Sequence, residues 1–193
     1  MKTDMYLKSK IREIKNYPTN GINFKDITPL LEDKKAFREA ILGIANFYSA
    51  KGGSPPEADG PRAHASGGKY ITVDKVVGIE SRGFLLASGI AYLLNAGMVM
   101  VRKKDKLPSK KIFREHSLEY GMGSLEIHTD SIAPEEKVII IDDVLATGGT
   151  AEAAVKLTEE LGGKIIGLGF LLELPLGGRE KLKKYPIHSL IQY

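Results

Sequence analysis

Hydrophobic and polar positions along the chain follow two different periods. Over residues 5–16 (MYLKSKIREIKN) the apolar Leu7, Ile11 and Ile14 recur at steps of four and three, which predicts a short amphipathic helix. Pro18, Asn20 and Gly21 then break it. The segment GINFKDITPLLED follows, with Phe24, Ile27, Leu30 and Leu31 as its apolar positions. Asp33 is placed to cap a second helix running to about Ala50, with Phe37, Ile41, Ile44 and Tyr48 on one face. From Tyr70 onward, short runs rich in β-branched residues alternate with helical stretches. YITVDKVVGI, MVMVR, KVIIIDDV, KIIGLGFLLEL and HSLIQY read as strands, and SLEYGMGSLEI as extended chain with a glycine turn. FLLASGIAYLLNA and the stretch after TGGT read as helices, the latter stopped by Gly162-Gly163. KVIIIDDV is almost continuously apolar, as a strand buried on both faces of a parallel sheet must be. The alternation predicts an α/β fold, a mostly parallel twisted sheet flanked by helices.

One stretch fits neither period. Residues 51–69 (KGGSPPEADGPRAHASGGK) contain no large apolar side chain, so they cannot bury a face and read as a flexible surface insertion that carries a solvated His64. The rest of the 193 residues is the size of one domain, 1–193. The chain has no cysteine, which excludes disulfides, a thiolate nucleophile, iron–sulfur clusters and cysteine-ligated zinc. The start, MKTDMYLKSK, lacks a signal-peptide core, and no apolar run approaches the roughly 18–20 residues that span a bilayer, so a soluble cytoplasmic protein without a membrane partner is expected. A net charge of +4 is too small to argue for nucleic acid, but it suits a small anionic substrate if the cations are concentrated. They are concentrated between Arg102 and Arg114.

Ligands of open α/β sheets bind beyond the carboxyl ends of the strands. Three such places carry unusual chemistry. In VIIIDDVLATGGT a buried strand ends on Asp142 and Asp143, and the turn Ala146-Thr147-Gly148-Gly149-Thr150 opens a helix. Adjacent carboxylates beside a sheet interior need compensation by ligand hydroxyls, a divalent cation or nearby bases. The glycine turn, the helix N-terminus and the hydroxyls of Thr147 and Thr150 form an anion cradle. Carboxylates one short loop from a phosphate site suit a sugar phosphate. The plainer alternative is a solvated Asp-Asp turn with Thr150 capping a helix. Neither G-x-x-x-x-G-K-[ST] nor G-x-G-x-x-G is present. Arg82, after the strand ending at Ile79, can clamp phosphate oxygens or merely cap a strand end. Lys110 and Lys111 are expected in a solvated cationic loop. His116, His128 and His188 lack H-x-x-x-H spacing and are expected to be structural.

VIIIDDVLATGGT resembles the diphosphoribosyl-binding signature of type I phosphoribosyltransferases. GINFKDITPLL, GIESRGFLLA, VRKKDKLP, SLEYG and the tail GREKL to SLIQY are similar, in the same order, to the adenine phosphoribosyltransferase family. The resemblance covers the chain apart from 51–69. It implies transfer of the 5-phosphoribosyl group of phosphoribosyl pyrophosphate to adenine, giving AMP and pyrophosphate. It implies Mg²⁺ held mainly by substrate oxygens and water, with no protein metal ligand assigned, a homodimer, and a mobile hood loop over the site.

The resemblance also implies roles residue by residue. Asp142 and Asp143 face the ribose, and Ala146, Thr147, Gly148, Gly149 and Thr150 hold the 5′-phosphate. Glu80, Ser81 and Arg82 form a pyrophosphate loop whose Glu80-Ser81 peptide is cis, with Arg82 also counted as catalytic. Arg102, Lys103 and Lys106 add pyrophosphate contacts, one of them across a dimer interface. Glu119, on the hood with Tyr120, is the catalytic carboxylate that handles the purine N7/N9 proton. Phe24 stacks on adenine while backbone groups of Asn23 and Lys25 read its Watson–Crick edge. Asn23 and Lys25 stand where the family commonly has an apolar residue and an arginine. Alternatives are a 6-oxopurine or orotate phosphoribosyltransferase, or a non-catalytic regulator of the same fold.

Overall fold

The computed structural model describes residues 2–50, 72–117 and 121–193; the expected insertion at 51–69 with His64, and the hood residues Glu119 and Tyr120, lie outside the described residues. The N-terminal part holds α1 (Lys2–Ser9), β1 (Arg12–Lys15), β2 (Asn23–Asp26), α2 (Thr28–Glu32) and α3 (Lys34–Ala50). The single helix expected over 5–16 is therefore corrected. It stops at Ser9, and Arg12–Lys15 pairs antiparallel with β2, Ile14 opposite Phe24 and Glu13 opposite Lys25. Leu7 and Ile11 are buried as the helical spacing required, but pairing with the next strand along the chain outweighs helical periodicity in the second half. Asp33 does cap α3: its Oδ1 accepts the N–H groups of Lys35 and Ala36, both at 3.0 Å.

The main sheet has seven strands, β3 (Lys75–Ile79), β4 (Gly97–Lys103), β5 (Lys111–Ser117), β6 (Met122–His128), β7 (Lys137–Leu145), β8 (Lys164–Glu173) and β9 (Ile187–Gln192), with helices α4 (Arg82–Leu94), α5 (Gly149–Glu160) and α6 (Gly178–Lys181). The order is β5-β6-β4-β3-β7-β8-β9, parallel except where β6 pairs with β4 and β5. Along β7, Ile139 and Ile141 join the core under α3 and α4, while Val138 and Ile140 join the core under α5. All four are fully buried, each worth about 1.5–3 kcal/mol of burial. That is why this strand shows no alternation in sequence.

From β3 the chain crosses through α4 to β4 on one side, whereas β7, on the other side of β3, leads through α5 to β8. The connections thus diverge between β3 and β7, and the carboxyl ends of these two strands border a crevice. No described helix is long and apolar enough to cross a membrane.

Candidate active site

A cavity of about 710 Å³ opens at this crevice. Its walls come from the loop after β3 (Glu80, Ser81, Arg82), the end of β4 with Lys103 and Lys104, the turn from Asp142 to Ala151, and the inner side of the β5–β6 hairpin with His116 and Ser124. Most residues singled out as phosphate or sugar ligands therefore meet in one space. Arg102, Lys106 and the segment Asn23–Lys25 are not part of its lining; Arg102 touches the lining through Glu80 and Phe24 through Arg82.

Asp143 is buried, and Asp142 keeps part of its surface open. Burial pushes both carboxyls above the usual carboxylate range; for Asp142 the neighbouring Asp143 adds to the rise, and for Asp143 the Arg82 guanidinium opposes it. Arg82 Nε lies 2.8 Å from Asp143 Oδ2, and Asp143 N–H donates to Asp142 Oδ1 at 2.9 Å. The ion pair is electrostatic without a straight hydrogen bond at Oδ2, which is buried and otherwise unsatisfied. Gly83 brings α4 against β7 here, since a β-carbon on it would sit 2.9 Å from Asp142 Oδ1.

The Glu80-Ser81 peptide is cis. The Glu80 carboxylate does not face into the pocket as a free anion: Oε2 accepts Arg102 Nε at 3.1 Å and Lys103 N–H at 3.0 Å. Arg102 Nη1 in turn donates to the Lys106 carbonyl at 3.1 Å. Glu80 thus holds the cationic loop in place and partly neutralises it.

The turn after β7 is pinned from outside. Gly178 N–H donates to the Ala146 carbonyl at 3.0 Å, and Leu174 N–H to the Leu145 carbonyl at 2.9 Å. Gly148 has φ +80° and lies against the Gly178 backbone, and a β-carbon on Gly149 would overlap the Ser117 carbonyl. These glycines serve close packing of protein backbone, a reason that their sequence context does not reveal. No side chain caps α5, and Gly149, Thr150 and Ala151 of its first turn line the cavity, where uncapped backbone N–H groups are suited to an anion.

In β2, strand alternation separates Phe24 from its neighbours. Asn23 Nδ2 donates to Glu13 Oε2 at 3.1 Å, and Lys25 pairs with Glu13 and lies 4.1 Å from the Tyr193 ring centroid. Phe24 points the other way. Its ring sits 5.5 Å from Arg82 Cζ and edge-on to Tyr17 at 5.3 Å. The β1–β2 ribbon has only two strands, so the outer edge of β2 keeps backbone donors and acceptors free of strand pairing.

One position departs from the sequence reading, and two more border or brace the site without having been assigned to it. Lys111 is not a solvated cation but pairs with the buried Glu126 at 2.9 Å. His116 lines the cavity from β5 with Nδ1 buried and unpartnered; burial holds its pKa down, and the Arg114 carbonyl pulls the other way. Gly178 was signalled only by the Gly177-Gly178 pair. Among the described residues no group of three His, Cys, Asp or Glu could hold a metal ion. The hard oxygens of Asp142 and Asp143 fit a divalent cation that takes its remaining ligands from substrate and water.

The model of the phosphoribosyl transferase domain family matches residues 64–191. An adenine phosphoribosyltransferase of Caldicellulosiruptor saccharolyticus is 46% identical over 98% of this chain and 97% of its own. The crystal structure of adenine phosphoribosyltransferase from Thermoanaerobacter pseudethanolicus superposes with a TM-score of 0.83 at 42% identity, covering 98% of this chain and 99% of that one. The Saccharomyces cerevisiae enzyme, solved with adenine and an imino-altritol bisphosphate, gives 0.83 at 33% identity over 98% of each chain.

Proposed function

This chain belongs to the adenine phosphoribosyltransferase family, and we propose that it catalyses that family's reaction in the crevice between β3 and β7: phosphoribosyl pyrophosphate and adenine give AMP and pyrophosphate, a purine-salvage step. The observation that carries the reading is the convergence of an uncapped helix N-terminus, two adjacent carboxylates and Arg82 on one cavity. A 5′-phosphate, ribose hydroxyls and pyrophosphate need these groups in that order.

In this reading the α5 turn binds the 5′-phosphate through backbone N–H groups and Thr147 and Thr150. Asp142 and Asp143 accept the ribose hydroxyls. Arg82, Lys103 and Lys106 face the pyrophosphate, with Glu80 and Arg102 bracing them. Asp142 and Asp143 are the oxygen donors that would face a Mg²⁺ held mainly by the substrate, and the ion would supply neutralisation of donor phosphate charge. The bond from C1 of the sugar to pyrophosphate oxygen breaks, a bond from C1 to purine N9 forms, and the purine proton leaves. Arg82 stabilises charge growing on the departing pyrophosphate. Glu119 takes the proton role, a carboxylate suited to it once closure excludes water.

Phe24 stacks on the purine. The free edge of β2 offers an acceptor to the 6-amino group and a donor to N1. A 6-oxopurine presents the reverse pattern and would leave buried groups unpaired. Lys25 and Asn23 are turned to Glu13, so only their backbone takes part.

A homodimer belongs to the same reading. Leu85 and Tyr92, seven residues apart on α4, are exposed together with Met98 and Met100 of β4, Tyr92 at 78%. Such an apolar face suits a second copy of the chain, and Tyr92→Glu should give monomers in light scattering. A cytoplasmic location rests on the cysteine-free sequence. The deciding experiment offers adenine, hypoxanthine and orotate separately with phosphoribosyl pyrophosphate and Mg²⁺. Adenine alone should release pyrophosphate; turnover of either other base overturns the base assignment.

A further inference from the structure

Glu126 lies on β6 and is absent from the cavity lining, yet it is a carboxylate only 1% exposed. A charge so placed is costly unless its lone pairs are filled. They are. Oε1 accepts the N–H groups of Lys106 at 2.8 Å and Leu107 at 2.6 Å. Oε2 accepts the N–H of Asp105 at 3.0 Å and pairs with Lys111 Nζ at 2.9 Å. Lys111 Nζ also donates to the Leu107 carbonyl at 3.0 Å, which closes a ring around the loop. Burial raises the Glu126 carboxyl, but Lys111 and the three N–H groups bring it below the usual carboxylate range, so it is ionised at neutral pH.

The loop so held is the cationic one. Lys103, Lys104 and Lys106 are exposed on it, and like charges this close repel. The turn also needs Asp105 at φ 63°, a left-handed conformation that costs a non-glycine residue about 1 kcal/mol or more. Glu126 receives the N–H of that strained residue and of the two that follow. Glu80 in turn holds Arg102 and Lys103, and Arg102 reaches the Lys106 carbonyl. The loop is therefore gripped between two carboxylates, one in the pocket wall and one behind it.

We infer that Glu126 is a positioning residue for the donor's pyrophosphate: with Lys111 it fixes the backbone of Asp105–Leu107, so that the cations arrive in a preset geometry. This rests on the reading that the 103–106 loop faces pyrophosphate. It acts through the loop and not on the ligand, so its effect is confined to ligands that carry pyrophosphate.

The test uses Glu126→Gln, whose amide places an N–H₂ against donors, and the double variant Glu126→Gln/Lys111→Met, which also removes the stranded ammonium. Calorimetry on the full chain measures inorganic pyrophosphate and AMP separately. Both variants should bind pyrophosphate about 10–100-fold more weakly, as expected for a displaced clamp, with AMP affinity unchanged. KM should rise for phosphoribosyl pyrophosphate and not for adenine. Lys106→Ala serves as the control. If Lys106→Ala binds pyrophosphate like wild type, the loop reading fails and the inference falls with it. If Lys106→Ala is impaired but the Glu126 variants are not, the inference alone is overturned. It is also overturned if both variants lose AMP and pyrophosphate in parallel or cannot be obtained folded.

Discussion

Nε of Arg82 stands 2.8 Å from Oδ2 of Asp143, while the same guanidinium lies 5.5 Å from the ring of Phe24. Residues proposed for pyrophosphate, ribose and purine are thus in direct contact, though they lie on three elements and 119 positions separate the first from the last (143 − 24). Asp26, two residues beyond Phe24, also feels the Arg82 charge, behind the larger effect of its own bonds to Thr28.

Arg82→Ala should strip Asp143 of its cation and the pyrophosphate of its clamp. The expected loss in kcat/KM for the donor is about 100–1,000-fold. Arg82 is partly exposed, so solvent screens the pair and Tm should fall by only about 2–4 °C, equivalent to about 1 kcal/mol for a chain of this size. Arg82→Lys should recover stability more than activity, because an ammonium restores charge without the planar fork. Steady-state kinetics and thermal melts read the two effects separately.

The acidic pair predicts a pH signature. Both carboxyls are raised in the folded protein, so the native state holds more protons than the unfolded chain between the ordinary carboxylate value and the raised ones. Their contribution to stability is therefore present at low pH and lost as pH rises through that window. Depressed carboxyls such as Glu126, Glu173 and Glu13 act the other way, stabilising above the ordinary value and losing that effect as pH falls. Asp142→Asn should raise Tm near neutral pH by about 2–4 °C while weakening donor binding. The gain over wild type should shrink as melts are repeated toward about pH 4; a gain that grows on acidification would refute the assignment.

Gly149→Ala looks favourable from helix propensity, since alanine outranks glycine by about 1 kcal/mol. Here the new methyl meets the Ser117 carbonyl of β5. The variant should instead lose about 1–3 kcal/mol by overpacking, with a lower kcat/KM because β5 must shift from the phosphate turn. Denaturant melts decide the sign.

Phe24→Ala and Lys25→Ala should separate cleanly. Loss of the ring removes a stacking platform worth about 1–3 kcal/mol per base and should raise KM for adenine accordingly. Lys25→Ala removes only a contact to Glu13 and Tyr193, so KM and base preference should stay as in wild type. Comparison of adenine and hypoxanthine turnover in both variants checks this.

Glu119→Ala should lower kcat by about 100–10,000-fold, the usual range for a lost acid–base group, with donor affinity nearly unchanged. Single-turnover measurements alongside calorimetry distinguish this from a binding defect.

Much of this protein is determined locally. The unbroken apolar run Val138–Ile141, the acids after it and the glycine turn needed no partner to be read, because burial on both faces and a glycine turn that opens a helix each leave a contiguous trace. Asp33 announced its helix for the same reason. What only tertiary structure decided depends on groups beyond the reach of a single helical turn or strand. Residues 12–15 follow a helical period yet form a strand, because β2 offers hydrogen bonds. Lys111 looks like one more surface cation until β6 places Glu126 beneath it. Gly148 and Gly149 look like room for a ligand, whereas Gly178 and Ser117 fill the space a side chain would take. Sequence spacing reports contacts within a turn or along a strand; pairings across the sheet are set by which elements the core brings together, and these determined how the cationic loop and the acidic pair come to one crevice, with Phe24 against Arg82 at its border.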